Sequence, residues 1–141
     1  MASITNIGDE PSTARTGNAS AADLHRAATA RHAMLLEGPE PSVEAVLMLL
    51  APYLRKPVTW KRCGAPLELP AGEVGTLVLE NITGLDTQDQ ARLLVWLNEP
   101  TRRAQVVSTT AYPLFPLVCC QAFDATLYYR LNVVRFSLDP E

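Results

Sequence analysis

The chain has 141 residues, the length of one ordinary domain, and 48% of them are hydrophobic, enough to build a core. Its net charge of −3 argues against a broad nucleic-acid-binding face. No basic region followed by an apolar run opens it, and its longest apolar stretches, 43–50 and 114–120, fall short of the ~20 residues that cross a bilayer, so a soluble, cytoplasmic protein is expected.

Residues 1–19 are rich in Ser, Thr, Gly and Asn and read as a disordered tail ahead of one α/β domain over 20–141. Ser20 is placed to cap a helix over about 21–32, with Asp23 in its first turn. His25 and His32 lie two turns apart on it and read as surface or interface residues, because nothing nearby completes a metal cluster. Residues 33–37 form a short buried strand, broken by Gly38, Pro39 and Pro41. Ser42 then caps an apolar helix to about Ala51, with Glu40 and Glu44 near its positive end. A second strand follows at 57–61, a Gly/Pro-rich loop at 63–75 and a third strand at 76–80. A helix from Asp86 or Thr87 to about Asn98 ends before Pro100. Residues 104–109 make a fourth strand, Pro113 and Pro116 bracket a turn, and a helix from Asp124 or Ala125 to Leu131 leads to a fifth strand at 133–138. Strands that are apolar throughout and alternate with helices indicate a parallel sheet covered on both faces.

The candidate chemistry lies at three places. A strand entering a Gly/Pro turn and then a helix has the layout of a phosphate-binding loop, but a working loop closes with Gly-Lys-Ser/Thr, and here the stretch offers Pro41, Ser42 and Val43 between two glutamates. Gly38 and Ser42 are the positions such a loop would use. At the end of the third strand, Glu80 has the chemistry to hold magnesium, whereas its neighbour Asn81 lacks a proton-accepting pKa. Arg130 is placed either to meet a phosphate from a neighbouring subunit or to bridge to Asp124, Glu80 or Glu99. The basic doublets Arg55–Lys56, Lys61–Arg62 and Arg102–Arg103 are each too short for an electrostatic footprint and read as solvated surface. Cys63, Cys119 and Cys120 show no ligand spacing and read as reduced, partly buried thiols.

Three segments carry a family resemblance. Residues 72–81, Gly-Glu-Val-Gly-Thr-Leu-Val-Leu-Glu-Asn, resemble the Walker B region of the sigma-54-dependent transcriptional activators, which usually read Gly-Gly-Thr-Leu-Phe-Leu-Asp-Glu. Residues 88–97 resemble the helix that follows. Residues 123–134, Phe-Asp-Ala-Thr-Leu-Tyr-Tyr-Arg-Leu-Asn-Val-Val, are similar to the family's Phe-Arg-x-Asp-Leu-Tyr-Tyr-Arg-Leu-Asn-Val, a match too long and specific for chance. The resemblance covers about 30–138. It implies the three-layer α/β part of an AAA+ core, a P-loop NTPase fold with five parallel strands in the order 5-1-4-3-2, without the helical lid.

Carried over position by position, the resemblance implies a disabled ATPase. The Walker A glycine-lysine falls on 41–44 and is missing. The Walker B aspartate falls on Glu80 and the catalytic glutamate on Asn81. The sensor asparagine falls near Ala111. Of two trans-acting arginines, one falls on Asp124 and is lost, and the other is Arg130. The family's sigma-factor-contacting loop, its lid and its helix-turn-helix have no counterpart in these 141 residues, and the sequence could also be part of a longer chain. The resulting expectation is a catalytically inactive AAA+-like module without cofactor, acting in transcription or signalling through a protein partner or self-association, with neither DNA nor membrane contact. The alternative is residual ATP and magnesium binding or weak ATPase activity, with Arg31, Lys56 or Arg130 replacing the lysine.

Overall fold

A computed structural model describes residues 4–7, 14–15, 21–64 and 66–138. Among these residues seven strands form one sheet: β1 (Ile4–Ile7), β2 (Ala14–Arg15), β3 (Met34–Glu37), β4 (Val58–Arg62), β5 (Thr76–Glu80), β6 (Gln105–Thr110) and β7 (Val134–Leu138). Among the described residues five α-helices accompany it: α1 (Ala21–Thr29), α2 (Glu40–Leu50), α3 (Thr87–Leu97), α4 (Phe115–Cys119) and α5 (Ala125–Leu131). β7, β3, β6, β5 and β4 lie side by side and parallel, which is the 5-1-4-3-2 order implied by the family resemblance.

Alternate residues of these strands feed two cores. Leu35, Leu77, Leu79 and Val106 face one side, where Leu93, Leu97, Leu127 and Tyr128 of α3 and α5 cover them. Met34, Leu36, Val78, Val107 and Phe136 face the other, under Leu24, Val43, Val46 and Leu47 of α1 and α2. Both faces are therefore dry, which is why these strands read as unbroken apolar runs and not as alternating ones.

The sequence expectations need three corrections. The disordered reading of 1–19 does not hold for 4–7 and 14–15: β1 pairs antiparallel with β7, and β2 with β1. The physical reason is the free edge of β7, whose unpaired N–H and C=O groups template another strand. The rest of that tail, the proposed Ser20 cap and residues 139–141 lie outside the described residues. α1 ends at Thr29, short of the expected 32, because Arg31 turns left-handed at φ 62°. Finally, α2 starts at Glu40 with Pro39 in the capping position, so Ser42 lies inside its first turn and does not cap it. Proline at the second helical position lacks an N–H that would have had no helical partner, and its fixed φ suits the first turn.

Candidate functional site

The C-terminal ends of β3, β5 and β6 open onto a cleft of about 130 Å³, lined by Gly38, Glu40, Glu44, Arg62, Glu80 and Asn81 with Thr109 and Thr110 beneath. This is the edge of a parallel sheet where α/β proteins bind ligands. The sheet brings Gly38, Glu80 and Asn81 together. Ser42 is buried in α2 and is not part of the lining.

The junction from β3 to α2 is two residues long, Gly38 and Pro39. Gly38 donates its N–H to the Thr110 carbonyl at 3.0 Å, tying the turn to β6. On its other side it touches β7: a Cβ here would lie 2.5 Å from the Leu138 carbonyl oxygen, so only glycine permits this approach. Val43 already donates to the Pro39 carbonyl at 3.0 Å, so the helical bonding begins at once.

Asn81 adopts the left-handed conformation, φ 61°, which asparagine tolerates better than most residues. Its N–H donates to Thr109 Oγ1 at 3.0 Å, and its Oδ1 accepts from the Thr83 hydroxyl at 3.0 Å. Its side chain thus holds the turn after β5. Glu80 beside it is half-buried. Arg62 is the one cation of the lining among the described residues, and it meets Glu40 at 3.5 Å. Both partners are exposed, so the pair adds little stability.

Arg130 lies elsewhere. Its Nη2 donates to the Leu97 carbonyl at 2.9 Å, at the end of α3, in place of the carboxylate bridges expected from the sequence. Arg31 and Lys56 are likewise absent from the lining of the cleft. Of the three cysteines only Cys63 is buried, while Cys119 and Cys120 are exposed. Desolvation above all pushes the Cys63 thiol up to about 11, with the Asp89 carboxylate adding to the shift; it remains an un-ionised thiol.

A buried network beneath the cleft escaped the sequence reading. Glu37, only 5% exposed, accepts the Leu114 N–H at 3.0 Å and faces Arg135 Nε at 3.8 Å. Arg135 in turn donates to the Tyr128 hydroxyl at 3.3 Å. Burial raises the Glu37 carboxyl above its ordinary value, and the Leu114 N–H and Arg135 oppose that shift. The sequence signal was an acidic residue closing a buried strand, with an arginine inside the last one.

With this geometry the chain compares with known proteins as follows. Residues 58–140 match the family model described as the sigma-54 interaction domain. No curated protein sequence matches it. Among solved structures, NtrX from Brucella abortus in complex with ATP aligns at TM-score 0.63 and 18% identity, over 86% of this chain and 37% of that one. The same protein with ADP aligns at 0.65 and 18%, over 82% and 34%. The P-loop NTPase domain of a sigma-54 transport activator from E. coli aligns at 0.64 and 18%, over 84% of this chain and 92% of that domain. The chain spans little more than a third of the NtrX chains, and identities this low speak to the fold. The family match is different in kind: it takes in more than half of the chain and the Leu-Tyr-Tyr-Arg-Leu-Asn segment, and on it this protein belongs to the sigma-54 interaction domain family.

Proposed function

We propose that this chain is a sigma-54-activator ATPase core that does not turn over ATP and works by binding another protein, either a partner or a second copy, in transcription or signalling. The observation that carries this reading is the two-residue junction at Gly38–Pro39. A phosphate-binding loop arches between strand and helix so that successive N–H groups point at the phosphates and a lysine reaches them. Two residues leave no arch, and Pro39 and Pro41 withhold two of the donors.

Charge supports the same conclusion. Glu40, Glu44 and Glu80 face the space where phosphates would sit, against one arginine already engaged by Glu40. A like-charge contact at 4 Å costs about 1 kcal/mol in water and about 4 kcal/mol near a protein surface. Asn81, where the resemblance puts the catalytic glutamate, has no basic group to take a proton from water. For a protein partner, the support is the exposure of the large apolar side chains of Met48, Leu49 and Tyr53 on α2 and the turn after it.

The alternative is residual ATP and magnesium binding or weak ATPase activity. Glu80 at a strand end and Arg62 across the same cleft favour it. A phosphate-release assay with millimolar ATP and magnesium tests for turnover, and calorimetric titration of the same nucleotide tests for binding. The proposal expects no release above buffer. Release that disappears in Glu80→Gln would establish the alternative.

A further inference from the structure

Two basic doublets that are far apart in the chain meet in the fold. Arg55 precedes β4, Gly72–Val74 precede β5, and Arg102–Arg103 precede β6, so all three segments lie at the N-terminal ends of neighbouring parallel strands. Together they line a pocket of about 340 Å³ with Arg55, Arg102, Arg103 and Glu73 among its side chains. It lies at the opposite edge of the sheet from the Gly38–Glu80 cleft.

The pocket is firmly built. A Cβ on Gly75 would come within 2.5 Å of both the Arg55 and Lys56 carbonyl oxygens, so the backbone carrying these two cations packs directly on β5. The Thr76 hydroxyl donates to the Arg55 carbonyl at 2.8 Å, and the N–H groups of Gly75 and Thr76 both go to the Pro57 carbonyl. Arg102 is held by its own side chain. Nε donates to the Trp96 carbonyl at 3.0 Å, and the guanidinium carbon lies 3.9 Å from the Trp96 ring centroid. Arg55 and Arg103 are exposed, and no ion pair engages either among the described residues.

Three guanidinium groups against one carboxylate give this concavity a positive charge on a chain whose net charge is negative. Arginine forks match phosphate oxygens in bidentate fashion, and Arg102, whose side chain is already held, loses less entropy on binding. A nucleic-acid track would need a longer basic stripe, and here only Lys56 adjoins the cluster. We propose that the pocket binds a phosphate monoester dianion, carried by a phosphorylated side chain or by a small metabolite, with Arg55 and Arg103 as ligands and Arg102 as the fixed third cation. This inference is independent of the fate of the cleft at the other edge.

Titration of the full chain with O-phosphoserine, followed by amide NMR, tests it. Saturable millimolar binding is expected, with shifts over 72–74 and 101–103. Arg55→Ala or Arg103→Ala should weaken it about tenfold, the scale of one hydrogen bond to a charged group. Glu73→Gln should tighten it, and Lys61→Ala, which removes the same charge elsewhere, should leave it unchanged. A phosphoserine peptide that binds about tenfold better than the free amino acid would assign a phosphoprotein source, and equal affinity a small-molecule source. Absence of saturation, indifference to Arg55→Ala and Arg103→Ala, or tighter capture of an oligonucleotide than of either phosphate would overturn the proposal.

Discussion

Glu37 and Gly38 are neighbours that hold the end of β3 for different reasons. Glu37 is buried, and in the folded chain its carboxyl keeps a proton more readily than in the unfolded one. Its contribution to stability is therefore fully present below its ordinary value of 4.5 and is lost as pH rises through the raised folded value. Relative to Glu37→Gln, which does not titrate, the wild-type protein should gain stability as the solution is acidified from neutral toward that value. Urea unfolding of both proteins along the pH series measures this, and a difference constant with pH would contradict it. Gly38 is fixed by contact with the β7 backbone, 2.5 Å from where a Cβ would stand. Gly38→Ala should cost about 1–3 kcal/mol, read as a lower urea midpoint at unchanged slope.

At the scale of elements, α3 and α5, which cover the face of the sheet that carries Leu35 and Leu77, begin on aspartates. Asp86 accepts the Asp89 N–H at 2.7 Å, and Asp124 accepts the Leu127 N–H at 2.9 Å. Asp124→Ala should cost about 1 kcal/mol. Gln90 does more, since its amide donates to the Leu85 and Ala122 carbonyls while its Oε1 accepts the Asp124 N–H at 2.8 Å. Gln90→Leu would leave three backbone groups without this partner and should destabilise more than Asp124→Ala in the same urea experiment. Both starts and the end of α3 were legible in the sequence because Asp86, Asp124 and Pro100 are local signals. The start of α2 was misread because Ser42 looks like a cap while Pro41 lies within the first turn. β1 and β2 were not legible at all: what orders them is the edge of β7, at the far end of the chain. The Arg55–Arg103 pocket was hidden for the same reason, as its two halves meet only through the sheet.

Across the whole molecule, the parallel sheet separates two chemistries. Its C-terminal edge carries carboxylates around a closed Gly38–Pro39 junction, and its N-terminal edge carries the arginine pocket. The strand order is the one the family resemblance implied, so the fold was read correctly from it. Of the candidate site residues, Gly38, Glu80 and Asn81 line one cleft, while Arg130 and Ser42 do not. A strand-end position is fixed by topology, whereas the direction of a helical side chain depends on packing that the sequence does not display. The central claim concerns the closed edge: two prolines, three glutamates and a two-residue turn should not hold a triphosphate. Calorimetric titration of ATP with magnesium into the Arg55→Ala/Arg103→Ala double variant tests it most directly, because the opposite edge then cannot contribute. No saturable heat at millimolar nucleotide is the predicted result; micromolar, magnesium-dependent binding that is lost on adding Glu80→Ala would contradict it.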